Sequence, residues 1–150
     1  MPITEELRSF IQELIDLNII NASAVSNLPP GLSGAYQIIQ ALSSYVNEDA
    51  FLAHALEQNT KFYYIPGLVA DTAFISKTYS PKTLNILNEV HQVLPLTKVG
   101  ETIWCGILRT YPYEENRLEE ILNSKQIACT VTTPLSYVKY LEQYMAAGCI

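Results

Sequence analysis

The chain has 150 residues, of which 49% are apolar and 16% are charged, and its formal net charge at pH 7 is −6. This apolar share excludes a disordered acidic tail. A chain of this length forms one domain or two tightly joined halves, and it can bury a sizeable core. The acidic balance argues against a general binder of nucleic acid or anionic membranes, because both targets require dense lysine and arginine.

The cysteine pattern and the N-terminus both bear on the compartment. Cys105, Cys129 and Cys149 form an odd set without a C-x-x-C pair, which suits a reducing compartment better than a disulfide framework. The first residues are acidic and lack the basic-then-apolar order of a signal peptide. No apolar run reaches the ~18 residues of a membrane span. We therefore expect a cytoplasmic protein without direct membrane insertion.

The N-terminal segment predicts a helix followed by a short second one. Thr4 is the candidate N-cap, and the apolar residues after it recur at helical spacing: Leu7, Phe10, Ile11, Leu14, Ile15 and Leu17. The helix should end near Asn18, because asparagine tolerates the left-handed conformation that often closes a helix. Asn21 then caps a second helix that contains Val25 and Leu28.

A proline–glycine break follows, and the chain then resembles its first unit again. Asn47 falls where Asn21 stood, an offset of 47 − 21 = 26 residues. Two related helix-turn-helix units are therefore expected in a helical part that spans residues 1–60. Residues 17–47 carry no charge, which is typical either of a partner surface or of a contact between the two units.

Residues 61–150 alternate between strand and helix patterns. Phe62–Ile65 predicts a short strand, and the stretch from Leu68 to Tyr79 has no clear period. The remaining predicted elements are a helix opened by Ser80–Pro81 and reaching His91, strands at Val93–Lys98 and Thr102–Leu108 joined through Gly100, a helix at Asn116–Ser124, a strand at Ile127–Thr132 and a helix opened by Thr133–Pro134. This order predicts an α+β fold, in which the helix-turn-helix units pack on a small, mainly antiparallel sheet and the C-terminal half is β-β-α-β-α.

The final helix carries two stripes at helical spacing. The apolar stripe, expected to face the core, consists of Leu135, Val138, Leu141 and Met145. The stripe beside it consists of Tyr137, Tyr140 and Tyr144. Tyrosine combines a large apolar body with a polar tip, so these rings either bind a partner protein or border the core with their hydroxyls in water.

The residues predict no enzyme, no cofactor and no metal. His91 and Cys105 are a conceivable base and thiol nucleophile, but a thiol in an apolar strand beside Trp104 is more often buried and inert. A zinc site that uses His54 and His91 lacks the close ligand spacing of such sites. The glycines do not form a Walker A phosphate loop.

Several short motifs follow one another in the order of a known module: Glu57–Gln58, Tyr63, Val93–Leu96, Gly100, Ile103–Gly106, Pro112, Val131–Pro134 and Tyr144. Over nearly the whole chain they resemble the N-terminal domain of the type II secretion and type IV pilus assembly ATPases. The resemblance implies paired helix-turn-helix units and an adaptor that docks the motor ATPase onto the cytoplasmic domain of an inner-membrane platform protein. Some members of that family bind cyclic di-GMP through the two helical units.

This chain departs from the pattern of the cyclic di-GMP binders, which carry an Arg-Leu-Gly start and a glycine at each helix turn. Ser9, Phe10 and Ile11 replace the Arg-Leu-Gly start. No arginine lies between Arg8 and Arg109, so the strongest contacts to phosphate are missing. We therefore expect a non-catalytic adaptor at the inner-membrane face, with a cyclic di-GMP-binding regulatory domain as the alternative. The partner-binding candidates are Asn18, Ser44, Tyr45, Tyr137, Tyr140 and Tyr144.

Overall fold

A computed structural model describes residues 5–29, 31–32, 34–58, 61–108 and 115–150. In chain order, the elements are α1 (Glu5–Asp16), α2 (Ala22–Ser26), α3 (Gly34–Ser43), α4 (Glu48–Gln58), α5 (Thr72–Thr78), α6 (Pro81–Ile86) with a π-helical turn (Leu87–His91), β1 (Val93–Val99), β2 (Thr102–Ile107), α7 (Glu115–Leu122), β3 (Ile127–Val131) and α8 (Pro134–Ala146). The fold is α+β, and its C-terminal half has the predicted β-β-α-β-α order. The predicted N-cap Thr4 and the motif residue Pro112 lie outside the described residues.

The two N-terminal helix pairs are capped at equivalent positions. The Asn21 side chain accepts a hydrogen bond from the Ser23 N–H at 2.9 Å at the start of α2, and the Asn47 side chain accepts one from the Ala50 N–H at 3.1 Å at the start of α4. Asn18, after the end of α1, has φ 57°, the predicted left-handed conformation. The capping asparagines are the pair that the 26-residue offset aligns.

The sheet is mixed rather than mainly antiparallel. Its strand order is β1-β2-β3, with β1 antiparallel to β2 and β2 parallel to β3. The second pair is parallel because α7 carries the chain back across the sheet before β3 begins. Gly100 closes the β1–β2 hairpin with φ 60°, as the sequence predicts.

The stretch between α4 and α6 differs from the prediction in two ways. The expected strand at Phe62–Ile65 is reduced to a single parallel bridge, in which the Tyr63 N–H donates to Cys129 O at 2.9 Å and the Val131 N–H donates to Tyr63 O at 2.8 Å. The following stretch, which lacks a period, contains α5. Asp71 caps that helix by accepting a hydrogen bond from the Phe74 N–H at 3.1 Å.

The helical part and the sheet part share one hydrophobic core, which includes Phe10, Phe51, Leu84 and Tyr137. Glu89, in the π-helical turn, also links the two parts, because its carboxylate accepts a hydrogen bond from the backbone N–H of Ala35 at the start of α3. None of the helices among the described residues is both long enough and apolar enough to cross a membrane.

Candidate docking site

The turns of the two helix-turn-helix units lie side by side and expose uncharged residues. The Asn47 N–H donates to Ile19 O at 3.2 Å, which joins the chain after α3 to the chain after α1. Four of the exposed residues at these turns are hereafter called the turn surface: Leu17, Asn18, Ser44 and Tyr45. Leu17 exposes 41% and Tyr45 46% of its surface, so each presents a large apolar group to solvent. Leu17 is an addition to the residues predicted from sequence.

A shallow depression of about 440 Å³ opens beside the first turn. Its lining residues are Ile15, Asn18, Ile20, Asn21 and Ala22. None of these side chains carries a charge. The depression therefore offers amide and apolar groups, which suit a protein surface better than a ligand with two phosphates.

The tyrosine stripe of α8 is buried and does not form an exposed partner surface. Tyr137, Tyr140 and Tyr144 all lie in the core. Two members of the predicted core stripe, Val138 and Leu141, are buried as expected, whereas the other two, Leu135 and Met145, are 46% and 39% exposed. The predicted orientation of the helix is thus wrong by part of a turn. Apolar spacing alone did not show it, because the tyrosines recur at the same helical intervals as the aliphatic residues.

Each buried tyrosine hydroxyl has an acceptor on a different segment. Tyr137 donates to Asn88 Oδ1 at 2.7 Å, Tyr140 donates to Leu68 O at 2.5 Å, and Tyr144 donates to the backbone oxygen of Pro95. These bonds satisfy the hydroxyl groups that the sequence predicted to lie either in water or at a partner. Burial also raises the pKa of Tyr140, and it raises that of Tyr144 well above its ordinary value.

Cys105 does not have the environment of a reactive thiol. It is fully buried, and Cys129 lies directly opposite it in the parallel β2–β3 register. A hydrogen bond with the Cys129 thiol and burial together raise the pKa of Cys105 well above its ordinary value. The thiol is therefore protonated at neutral pH. Within the described part of the chain, no three His, Cys, Asp or Glu side chains gather into a metal-binding group.

A second exposed feature lies on the sheet and is absent from the sequence-based candidates. The rings of Tyr63 and Trp104 have centroids 5.5 Å apart and planes inclined at 50°. Tyr63 is 56% exposed, although it is bonded through its backbone to β3. Because the two residues are far apart in the sequence, only the pairing of residue 63 with β3 could have indicated this contact.

Comparison of the sequence with protein-family models gives no match, and comparison with curated protein sequences gives no significant match.

Proposed function

We propose that the chain is a non-catalytic docking domain that binds a partner through the turn surface. The observation that carries this proposal is the hydrogen bond between Asn47 and Ile19, which sets two exposed, uncharged turns next to each other. Interface cores are depleted of charge and enriched in groups such as the Tyr45 ring. The turn surface combines both properties on a protein whose net charge is −6.

The turn surface is also held in place before any partner arrives. Asn21 and Asn47 fix the starts of α2 and α4 through side-chain caps. Asn18 closes α1 in the left-handed conformation. A surface that is ordered in the free protein loses less conformational entropy on binding, which favours affinity.

The resemblance to the N-terminal domains of type II secretion and type IV pilus assembly ATPases suggests the partner class. We propose that the partner is the cytoplasmic domain of an inner-membrane platform protein of such a system, or its motor ATPase. The chain would then act in the cytoplasm, at the inner-membrane face, without inserting into the bilayer. Its role would be recognition, with the hydrolysis of ATP performed elsewhere in the assembly.

A binding measurement between the full chain and a purified platform-protein cytoplasmic domain tests this proposal. Leu17→Glu and Tyr45→Glu place charges in the turn surface and should each weaken binding by about tenfold or more, because an unpaired charge in an interface is costly. Val99→Glu is the matched control, since Val99 is exposed at the hairpin, away from the turns. If all three variants bind like the unchanged chain, the turn surface is not the docking site.

A second candidate function is the binding of cyclic di-GMP. The observation in its favour is the left-handed conformation of Asn18, because a turn glycine occupies this position in the cyclic di-GMP binders of the resembling family. The uncharged lining of the neighbouring depression opposes it. Calorimetry decides between the two: no heat of binding at about 100 μM cyclic di-GMP excludes a site of useful affinity.

A further inference from the structure

An open cavity of about 480 Å³ lies between the β1–β2 hairpin and the helices next to it. The hairpin contributes Lys98, Glu101 and Ile103, and the other walls come from the junction of α5 with α6 and from the end of α7. Lys98 and Ile103 are register partners, so the cavity lies on the face of the sheet opposite to Trp104. Its volume falls within the range of about 300–1,000 Å³ that is usual for small-molecule sites.

The inner wall of the cavity is apolar and is held in place by the fold. Tyr79, Ile103 and Leu122 line it, and all three are buried. The Tyr79 hydroxyl donates to Leu122 O at 3.1 Å, which ties the end of α5 to the end of α7. The Phe74 ring meets the Tyr79 ring edge-on, with centroids 6.4 Å apart. This wall therefore suits an apolar group, and it is already formed before a ligand binds.

The polar side chains of the cavity differ in whether they already have partners. Its aliphatic hydroxyl groups make hydrogen bonds within the protein at 2.7 to 3.2 Å: those of Thr78, Ser80, Thr83 and Ser124. Lys98, Glu101 and the side chain of Asn123, in contrast, have no hydrogen-bond or ion-pair partner within the described part of the chain. An ammonium, a carboxylate and an amide are thus the groups that remain to recognise a ligand.

These three groups, next to an apolar wall, match a small zwitterion with an apolar body. Its carboxylate can pair with Lys98 and its ammonium with Glu101, while the Asn123 amide can bond to either group. A phosphate ester would face the Glu101 carboxylate with a single lysine to hold it, and a neutral sugar would leave both charges without a partner. A divalent cation would find one carboxylate, fewer oxygen ligands than such ions take.

We propose that this cavity binds a free α-amino acid with a large apolar side chain. The carboxylate and the ammonium of the amino acid pair with Lys98 and Glu101, and its side chain lies against the inner wall. Lys98 and Glu101 are exposed at one end of the same hairpin, so their flexible side chains can converge on two groups carried by one carbon atom. The cavity is separate from the turn surface, and this proposal does not depend on the docking of a partner.

Titration of the full ¹⁵N-labelled chain with L-phenylalanine, followed by nuclear magnetic resonance, tests the proposal. We expect saturable shifts of the Glu101 and Asn123 amide signals, with a dissociation constant of about 2 mM or lower for a ligand of this size. Two analogues each lack one charge: phenethylamine has no carboxylate, and 3-phenylpropanoate has no ammonium. Each should bind about fivefold more weakly than L-phenylalanine, because one ion pair is lost.

Two variants and two matched controls test the charged residues. Lys98→Gln and Glu101→Gln should each weaken the binding of L-phenylalanine by about fivefold. Both side chains are exposed, so the variants should stay folded, which circular dichroism checks. Lys139→Gln and Glu142→Gln, at exposed positions on α8, remove the same charges elsewhere and should leave binding unchanged.

Three results would overturn the proposal. The absence of saturable shifts at about 10 mM L-phenylalanine would show that the cavity holds no amino acid of useful affinity. Equal binding of L-phenylalanine and of either analogue would show that the cavity does not select a zwitterion. Unchanged binding in both Lys98→Gln and Glu101→Gln would place the ligand elsewhere. None of these results bears on the turn surface, which is tested through Leu17 and Tyr45.

Discussion

Both carboxylate oxygens of Glu89 lie within hydrogen-bonding distance of the Ala35 backbone nitrogen, at 2.8 and 3.0 Å. Glu89 belongs to the π-helical turn before β1, and Ala35 belongs to the first turn of α3. A glutamate more than fifty residues away thus caps the start of α3 with a carboxylate at the positive end of the helix dipole. The helical and sheet parts therefore share a polar link as well as a core.

Removal of this cap should destabilise the whole chain. We expect Glu89→Ala to lower the free energy of unfolding by about 1–2 kcal/mol, the usual cost of losing an N-cap. Urea denaturation followed by circular dichroism measures it, with the exposed Glu101→Ala as the control. Equal stabilities of the two variants would show that the contact contributes nothing.

Gly34 should not tolerate a side chain next to this cap. It has φ +79°, and an added Cβ would lie 3.2 Å from Glu89 Oε1. We expect Gly34→Ala to cost about 1–2 kcal/mol, because alanine pays for the left-handed conformation and also displaces the carboxylate. Gly67→Ala is a suitable comparison in the same denaturation experiment, since a Cβ there meets nothing within 4 Å.

Gly106 on β2 lies close to Thr132, so a second substitution at Thr132 should restore part of the stability that a side chain at Gly106 removes. A Cβ on Gly106 would lie 3.2 Å from Thr132 Cγ2 and 3.4 Å from Leu96 Cδ1. Gly106→Ala should therefore destabilise the fold by about 1–3 kcal/mol through overpacking. Adding Thr132→Ser removes the Cγ2 methyl but keeps the hydroxyl that donates to Ile107 O, so part of the loss should return. If the double variant loses as much free energy of unfolding as the two single variants together, or more, the clash is not the cause.

The tyrosine hydroxyls of α8 should differ in how much each contributes to the free energy of unfolding. Tyr137→Phe leaves the buried Asn88 amide oxygen without this donor, and we expect a loss of about 1–3 kcal/mol. Tyr140 donates to the less buried Leu68 backbone, where water can replace the hydroxyl, so Tyr140→Phe should cost less. Thermal and urea unfolding of both variants checks the order, and the reverse order would contradict this account.

The buried Tyr144 should make the folded chain less stable at alkaline pH. Burial raises the pKa of Tyr144 well above its ordinary value near 10, so the folded state keeps a proton that the unfolded state loses. By linkage, the protonated Tyr144 contributes its full stabilisation of the folded state below pH ~10, and this contribution is lost as the pH rises above that value. The free energy of unfolding should therefore fall as the pH rises from about 9 towards the raised pKa of the folded state, and the fall should be smaller in Tyr144→Phe. An equal fall in both proteins would contradict the assignment.

The thiols should be protected from reagents in the folded chain. Cys105, Cys129 and Cys149 are all buried, and the pKa of Cys105 and of Cys149 is raised. We expect a chromogenic disulfide reagent to react with all three in denaturant and to react in native buffer only as the chain opens. Fast reaction of Cys105 in native buffer would instead support the hypothesis that Cys105 is a reactive nucleophile.

The caps and breaks could be predicted from sequence because each depends on a few neighbouring residues. Asn18 has the predicted left-handed conformation. The predicted N-caps accept hydrogen bonds at the starts of their helices: Asn21, Ser80 and Thr133. The orientation of α8 could not be predicted, since it depends on acceptors contributed by three distant segments. Likewise α5 has too few residues to show a period, and the contact of Tyr63 with Trp104 exists only once the chain pairs with β3.

The π-helical turn at Leu87–His91 fixes the angular position of two neighbouring residues at once. Asn88 meets Tyr137 on one side of it, and Glu89 meets Ala35 on another. This wide turn accommodates one residue more than an α-helical turn does. Through its two adjacent residues, the segment that leads into β1 contacts both the last helix and the third helix.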